Sequence, residues 1–182
     1  MTNLTHHLAL TGHRPNKLGG YDITTPGYLA LQKALEAGIL KRINARPDHT
    51  IVCHSGLALG ADTIWSKAIL AVRDQYPERV RFIAHVPMMQ QSRRWFKKSD
   101  TDFWQEQVDR ADEVIVYGDL TGNDTSHHAG QLMKKRNMGM VDACDELFAI
   151  YDGTHGGTGH AVNYARKTNK AVIVAHPDRF FK

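Results

Sequence analysis

The sequence lacks the features of a secreted or membrane-spanning protein. Its 182 residues contain two cysteines, Cys53 and Cys144, which lie in apolar segments without a CxxC partner and therefore indicate small core residues rather than a disulfide framework. No apolar run approaches the roughly 20 residues of a membrane-spanning helix. The opening residues have neither the basic nor the apolar region of a signal peptide. We therefore expect a cytoplasmic protein with reduced cysteines and no membrane partner.

Common catalytic and metal-binding motifs are also missing. The chain has no HExxH or Cys/His ligand spacing, no GxSxG nucleophile elbow and no P-loop lysine. Eleven histidines are present, but the best metal candidates follow no recognised ligand spacing; they are His127, His128, His155 and His160. We therefore expect no metal site and no resident cofactor.

Composition and charge are those of an ordinary soluble domain. Hydrophobic residues make up 42% and charged residues 23%, and the length fits one compact domain over residues 1–182. The formal net charge of +4 mildly favours anionic ligands. The short basic clusters at 93–98 and 134–136 are more typical of solvated helix faces than of a continuous nucleic-acid surface.

Short apolar runs alternate with longer amphipathic segments along the chain. Several runs are continuous and β-branched, which is typical of strands buried on both faces. The predicted strands are 8–11, 50–54, 80–86, 113–117, 146–151 and 171–176, and the predicted helices are 26–44, 59–75, 101–111, 129–138 and 161–167. This alternation predicts an α/β fold, a single Rossmann-like domain with a mostly parallel sheet and helices on both faces. In such folds, ligands bind beyond the carboxyl ends of the strands.

The segment Asp152–Ala161 carries the clearest functional signal. It holds four glycines between the fifth predicted strand and the last predicted helix. Glycines allow close backbone approach, and the first N–H groups of a helix point at a bound anion. The segment therefore predicts a phosphate site, although a merely flexible loop could also be rich in glycine. The residues concerned are Gly156, Gly157, Thr158 and Gly159.

Two earlier loops also follow predicted strands. In the first, Gly12 permits a sharp turn, and Arg14 could bind a phosphate through two hydrogen bonds or be exposed in an ordinary Gly/Pro turn. The second loop combines small residues, which leave room for a ligand, with an acid that could contact the ligand or cap the following helix. These residues are Ser55, Gly56, Gly60 and Asp62.

A further candidate segment, residues 136–145, connects a basic helix end to the fifth predicted strand. Arg136 and Asn137 begin the segment, and Asp142 could bind ribose hydroxyls, act as an acid or base, or cap a turn. Elsewhere, Trp95 follows the third predicted strand in a Met/Trp cluster. Its ring could stack on a base or pack against the core.

Four of these segments together resemble the SLOG superfamily, which joins the Smf/DprA DNA-processing proteins and the LOG nucleotide hydrolases. The matching segments are Thr-Gly-His-Arg-Pro at 11–15, Ser-Gly-Leu-Ala-Leu-Gly-Ala-Asp at 55–62, Arg-Asn-Met-Gly-Met-Val-Asp at 136–142 and Asp-Gly-Thr-His-Gly-Gly-Thr-Gly-His-Ala at 152–161. Within the superfamily, the four segments look most like those of the YpsA-like group of bacteria and phages. The resemblance implies a Rossmann-like fold that binds nucleotides or their derivatives, and it implies a homo-oligomer.

The resemblance also implies roles for particular residues. It places Gly12 and Arg14 in a first ligand loop and Gly156, Gly157 and Thr158 in the phosphate loop. Two further ligand segments come between them, and their matching residues are Gly56, Gly60, Asp62, Arg136, Asn137 and Asp142.

The chain departs from two branches of the superfamily. LOG-type hydrolases have a pattern like PGGxGTxxE, whose glutamate takes part in cleaving the bond between base and ribose. Here Asn163 stands at the glutamate position and His160 at the threonine, and an asparagine cannot act as a general base. In the SGLARGID motif of DprA-type proteins, Leu59 stands at the arginine position, which removes one phosphate contact.

These observations favour a binding protein over an enzyme. Its partner would be a nucleotide, sugar-nucleotide or NAD-related small molecule, held as a sensor or sequestering protein. The alternative is a LOG-like N-glycosidase or phosphoribohydrolase in which Asp62, Asp142 or Asp152 replaces the missing glutamate. A third hypothesis, DprA-like binding of single-stranded DNA, is not favoured.

Overall fold

The computed structural model describes residues 4–120 and 126–182, and these residues form a parallel sheet between two helical layers. The strands are β1 (Leu4–Gly12), β2 (His49–Ser55), β3 (Val80–Val86), β4 (Glu113–Val116), β5 (Glu146–Ile150) and β6 (Ala171–Ala175). The helices are α1 (Pro26–Ala45), α2 (Ala61–Gln75), α3 (Lys98–Arg110), α4 (Ser126–Ala143) and α5 (Gly157–Lys167). Short 3₁₀ turns occur at Pro15–Lys17 and Pro177–Arg179. The fold is Rossmann-like α/β, as the alternation of segments predicts.

The strand order creates one switch point in the sheet. All neighbouring strands are parallel, and their order is β4-β3-β2-β1-β5-β6. The chain therefore moves outward from β1 through β4 and then returns to the other side of β1 with β5. The loops that leave β1 and β5 diverge at this point, and a crevice opens between them.

Alternating side chains of β1 supply both layers of the core. Leu8 and Leu10 pack with buried residues of α1, α2 and α3, whereas Ala9 packs with Met140 of α4 and Ala161 of α5. Helix α1 begins at Pro26, whose fixed φ suits the first helical position. The sheet is thus covered by three helices on one face and two on the other, which confirms the predicted layers.

Two helix boundaries that bear on the ligand edge, and the burial of the edge strands, differ from the sequence-based prediction. Helix α4 continues to Ala143, so most of the segment 136–145 is helical, and α5 begins at Gly157 rather than at Ala161. The edge strands are also more exposed than a strand buried on both faces would be, with Val116 of β4 46% exposed. An edge strand has a neighbour on one side only, so a β-branched run does not by itself indicate full burial.

A row of three histidines crosses the sheet on the α4 side. His7 Nδ1 lies 3.0 Å from His54 Nε2, and His54 Nδ1 lies 2.8 Å from His85 Nε2. The row continues to the hydroxyl of Tyr117, 2.8 Å from His85 Nδ1, and at its other end His7 Nε2 lies 3.0 Å from the hydroxyl of Thr5. It therefore runs diagonally from the amino edge of the sheet to its carboxyl edge.

Burial keeps the middle of this row uncharged. Desolvation, with smaller contributions from the neighbouring His85 and His7, lowers the pKa of His54 to about 3. Desolvation likewise lowers the pKa of His85 to about 4, and the charge of Arg136 contributes to this shift. Both imidazoles are accordingly neutral at pH 7 and act only as hydrogen-bonding groups.

We predict that the fold loses stability on acidification because of this row. Between pH 6.5 and about 4 the unfolded chain binds protons at His54 and His85 that the folded chain does not. Each histidine then costs about 1.4 kcal/mol of unfolding free energy per pH unit. Urea titrations at pH 7, 6 and 5 will measure this slope.

Two variants separate the row from other titrating groups. His85→Phe should flatten the dependence of stability on pH, whereas His160→Gln, which alters an exposed histidine of α5, should leave it unchanged. An unaltered slope in His85→Phe would contradict the assignment.

Candidate functional site

A cleft of about 300 Å³ opens at the switch point, and we call it the switch-point cleft. Its walls come from the loop after β1, the loop before α2, one face of α4 and the start of α5. Parallel strands bring these segments to one edge of the sheet although they are far apart in sequence. The cleft therefore brings together residues from all four motif segments of the sequence, at 11–15, 55–62, 136–142 and 152–161.

The amino terminus of α5 forms one wall of the cleft. Gly156 precedes the helix with a φ of 148°, a left-handed conformation that favours glycine. The first helical hydrogen bond runs from the N–H of His160 to the carbonyl of Gly156 at 2.9 Å, so the N–H groups of the first turn have no helical acceptor. A Cβ added to Gly157 would meet only Asn137 Nδ2, at 3.8 Å. The backbone here is open to a ligand.

Three cationic side chains line the same cleft, namely Arg14, Lys17 and Arg136. Arg14 is exposed, and its guanidinium donates no hydrogen bond to any described residue. Lys17 Nζ donates to the Thr154 hydroxyl. Together with the partial positive charge of the α5 amino terminus, these groups make the cleft complementary to an anion.

Asp152 borders the cleft, but its carboxylate is already engaged. Its Oδ1 accepts hydrogen bonds from the Thr154 hydroxyl at 2.6 Å and the Thr154 N–H at 2.9 Å. His13 Nε2 lies 2.6 Å from the same oxygen. The bonds from Thr154 are the main reason that the pKa of Asp152 lies far below its usual value, and His13 contributes. Because an ionised carboxylate only accepts, His13 Nε2 carries the proton in this contact, and the Asp152 N–H, 3.2 Å from the same nitrogen, then has no acceptor there.

Asp62 and Arg136 form a buried pair at the bottom of the cleft. Their side chains are 9% and 4% exposed, and Asp62 Oδ2 lies 3.7 Å from Arg136 Nη1, which also donates to the Gly56 carbonyl. Burial raises the pKa of Asp62, and the charges of Arg136 and Arg14 oppose that rise. Burial also lowers the pKa of Arg136, although a guanidinium stays protonated in proteins.

Glycines shape the loop around this pair. A Cβ on Gly56 would lie 1.6 Å from Arg136 Nη1, and one on Gly12 would lie 2.3 Å from Ala61 Cβ. Gly60, the residue before α2, has a φ of 100°, and its Cβ would lie 2.5 Å from the His13 carbonyl oxygen. The absence of a side chain at these three glycines therefore allows the β1 loop to pack against α2 and the β2 loop to pack over Arg136.

Many predicted site residues meet in the switch-point cleft. They are Gly12, Arg14, Asp62, Arg136, Asn137, Gly156, Gly157 and Thr158. Four others form the wall behind it: Ser55 bonds to Ser66 at 2.9 Å, Gly56 and Gly60 make the close approaches above, and Gly159 packs inside α5 beside Tyr151.

Two predicted residues lie elsewhere. Asp142 is six residues beyond Arg136 on α4, about 9 Å further along the helix axis toward the amino edge of the sheet, and it accepts a hydrogen bond from Tyr164 at 2.8 Å. The prediction assumed a loop here, whereas the helix carries Asp142 away from the cleft. Trp95 lines a separate cleft on the other side of the β1 loop.

Several residues of the cleft were missed. His13, Asn16 and Lys17 belong to the loop identified by Gly12 and Arg14, and His155 belongs to the glycine-rich segment. Met133 lies one helical turn before Arg136 and Asn137, all within the predicted helix 129–138, so this spacing could have identified it. By contrast, Asn163 is exposed and is not part of the cleft wall.

Metal sites and membrane-spanning helices can both be assessed in the described residues. Across 4–120 and 126–182, no group of three or more His, Cys, Asp or Glu side chains is arranged to hold a metal ion. In the same residues, no helix combines the length and apolar character needed to span a membrane.

Comparison with known sequences identifies a family and several relatives. The profile of the YspA SLOG family matches residues 8–176. The SPbeta prophage-derived protein YoqJ of Bacillus subtilis (strain 168) is 28% identical over 165 residues, which is 86% of this chain and 94% of YoqJ. A UPF0398 protein of Bacillus cereus (strain B4264) is 23% identical, over 83% of this chain and 77% of the relative.

Solved structures share the fold at low sequence identity. DNA processing protein A (DprA) from Streptococcus pneumoniae superposes with a TM-score of 0.61 at 16% identity, covering 93% of this chain but 50% of DprA. The chain thus spans half the length of that protein. DprA from Helicobacter pylori gives 0.56 at 15% identity over 97% of this chain and 71% of that protein, and TM1055 gives 0.51 at 14% over 92% and 72%.

We predict that Asp62→Asn destabilises the protein by about 3 kcal/mol, because it leaves the Arg136 guanidinium buried without a counter-charge. Urea unfolding at pH 7 will measure the loss. The matched control is Asp74→Asn, which breaks an exposed ion pair with Arg110 at 3.0 Å and should change little. Equal losses of unfolding free energy in the two variants would show that the buried pair stabilises the fold no more than the exposed one.

We also predict different effects on stability for two glycine substitutions. Gly60→Ala should destabilise by about 1–3 kcal/mol because of its left-handed φ and the collision with His13. Gly130→Ala lies in α4 with no atom within 4 Å of the added Cβ and should be neutral or gain up to about 1 kcal/mol. Thermal unfolding will compare the two variants. An unchanged melting temperature in Gly60→Ala would contradict the close packing of Gly60 on the His13 carbonyl.

Proposed function

Because this chain belongs to the YspA SLOG family, we propose that its switch-point cleft binds a phosphate-bearing nucleotide or nucleotide derivative. Sugar-nucleotides and NAD-related molecules are the ligand classes considered, and the protein would act as a sensor or sequestering protein. The observation that carries the proposal is the convergence of the α5 amino terminus with Arg14, Lys17 and Arg136 in one cleft.

The open backbone at Gly157 and Thr158 supports a phosphate seat at the start of α5. Helix N–H groups and a planar guanidinium bind phosphate oxygens in complementary ways, the first through fixed donors and the second through paired donors. Arg14 is suited to the second role, because its guanidinium has no bond to another described residue. Arg136 would add charge from below, since its buried position fixes it in place.

The sugar and base would then lie against the remaining walls of the cleft. Asn16 and Asn137 offer amide donors and acceptors for ribose hydroxyls, and Met133 offers an apolar contact for a ring. Asp142 has no part in this arrangement because of its distance along α4. Asp62 contributes through its pairing with Arg136 rather than through the ligand.

Binding without cleavage is favoured by the state of the carboxylates. Asp62 is paired with Arg136, and Asp152 already accepts from three donors. Asp62 is thus committed to Arg136, and the lowered pKa of Asp152 makes its carboxylate a weak base for the activation of water. Asn163, at the position of the LOG glutamate, is exposed on α5.

One observation supports a second candidate function, a nucleotide hydrolase. His13 lines the cleft, and its Nε2–H is held by Asp152, which leaves Nδ1 as the nitrogen with a lone pair. A histidine oriented by a carboxylate in this way is suited to take a proton from water. In this alternative, water attacks the ribose carbon, His13 takes the proton of the water, and the bond to the base breaks. The base leaves with the bonding electron pair and is protonated by solvent.

The experiment is a thermal-shift screen with nucleoside monophosphates, sugar-nucleotides and NAD derivatives, with chromatography of the same mixtures. We predict that at least one phosphate-bearing compound raises the melting temperature, with a stabilisation of about 2.7 kcal/mol at one hundred times its Kd. Arg14→Gln should abolish the shift, and Arg166→Gln, an exposed arginine at the far end of α5, should retain it.

The other outcomes discriminate between the functions. Release of free base that is lost in His13→Asn would establish the hydrolase instead. The DprA of Helicobacter pylori, which shares this fold, binds single-stranded DNA. A salt-sensitive gel shift with single-stranded DNA and no response to small ligands would therefore favour that function.

A further inference from the structure

A second cleft, of about 490 Å³, lies on the opposite side of the β1 loop from the switch-point cleft. Three aromatic residues line it, namely Tyr21, Trp95 and Phe103, and we call it the aromatic cleft. Lys97 stands beside the rings, and Gln107 of α3 contributes to its wall. The cleft thus combines aromatic surface with polar groups, unlike a simple gap in the core.

Gln107 has a buried oxygen without a partner. The residue is 2% exposed, and its Nε2 donates to the Phe103 carbonyl at 3.0 Å, which fixes the orientation of the amide. No described residue donates to its Oε1. A buried carbonyl oxygen of this kind costs free energy until a donor meets it, and the residue borders the aromatic cleft.

Trp95 also has a polar group without a hydrogen-bond partner, unlike the other two tryptophans. The indole N–H of Trp65 donates to the His54 carbonyl at 2.8 Å, and that of Trp104 donates to Gln91 at 3.3 Å. The indole N–H of Trp95 has no hydrogen-bond acceptor among the described residues. Trp65 and Trp104 are almost fully buried, whereas Trp95 packs against the core only in part. Its ring and its donor are therefore available to a ligand.

The two clefts share a wall but are distinct. Arg14 lines the switch-point cleft and Pro15 lines the aromatic cleft. Between the clefts, Gly60 packs so closely on the β1 loop that an added Cβ would lie 2.5 Å from the His13 carbonyl oxygen and 3.0 Å from Arg14 Cα. Two backbones in contact leave no passage, so the aromatic cleft is not the inner end of the anion site.

Charge around the aromatic cleft is balanced rather than strongly positive. Lys97, Asp22 and Asp100 all line the cleft. Hydrogen bonds from Thr24, with a smaller contribution from Lys97, lower the pKa of Asp22. A phosphate would meet both carboxylates, whereas an uncharged ring would not be repelled. The ligand that fits is therefore flat, aromatic and neutral, with a hydrogen-bond donor and an acceptor on its edge.

We propose that the aromatic cleft is a second binding site, for a heteroaromatic ring of the nucleobase type that stacks on Trp95 and donates to Gln107. Such a ring presents donors and acceptors on one edge and a π-face to stack. The site goes beyond the anion-binding function and does not depend on it. The ring could belong to a free nucleoside or to a single-stranded nucleic acid, which share this chemistry.

The test is isothermal titration with adenosine, guanosine, cytidine and uridine, which carry no phosphate. We expect saturable binding of at least one nucleoside by the wild type. Trp95→Leu retains apolar packing without a ring, and Gln107→Met retains volume without the carbonyl. Each should weaken binding about tenfold or more, Trp95→Leu because it removes the stacking surface and Gln107→Met because it removes the acceptor.

Two controls separate this site from the switch-point cleft. Arg14→Gln should lose binding of pyrophosphate, used as a probe of the anion site, yet keep the nucleoside. Tyr76→Leu, which alters a 40% exposed aromatic residue at the end of α2, should change neither.

The proposal is overturned if no nucleoside binds the wild type, or if Trp95→Leu and Gln107→Met bind as the wild type does. Loss of nucleoside binding in Arg14→Gln would also overturn it, since that result would assign the ring to the switch-point cleft. A ten-residue oligothymidylate provides the second arm. Binding that is much tighter than that of the nucleoside and is lost in Trp95→Leu would assign the ring to a nucleic-acid strand, and equal affinity would assign it to the free nucleoside.

Discussion

A buried guanidinium is the constraint on which the ligand edge of this fold depends. Arg136 extends from α4 beneath the loop after β2, where its charge is tolerated because Asp62 of α2 lies beside it and the Gly56 carbonyl accepts from it. Gly56 has to lack a side chain for this arrangement to exist. One charge therefore ties together two helices from opposite faces of the sheet and the loop between them.

The same principle governs the other charges at this edge. Asp152 is held by His13 and Thr154, and Thr154 in turn accepts from Lys17, so the anionic groups of the region serve to position cationic ones. Arg136 and Lys17 are therefore held in place before a ligand arrives, whereas Arg14 remains exposed. Preorganised charge of this kind reduces the cost of ordering side chains on binding.

Much of the fold followed from local patterns, whereas the site followed only in part. The strands were predictable because their apolar runs are bounded by turn residues. The cleft positions of Gly12, Arg14 and Gly157 were predictable because parallel strands bring their carboxyl ends to one edge of the sheet. The length of α4 was not predictable, because Gly139 and charged residues interrupt its apolar spacing. The position of Asp142 relative to the cleft depended on that length. The separation of Trp95 from the anion site depends on how two loops pack, which local spacing does not encode.

The histidine row has a consequence for polarity across the sheet. Each neutral imidazole has one N–H, and each contact between His7, His54, His85 and Tyr117 needs one hydrogen. The tautomers must therefore all point the same way, either toward Tyr117 or away from it. Reversing one reverses all, so the hydroxyl of Tyr117 at the ligand edge donates or accepts according to the state of His7 at the opposite end. The row is a two-state dipole built into the core.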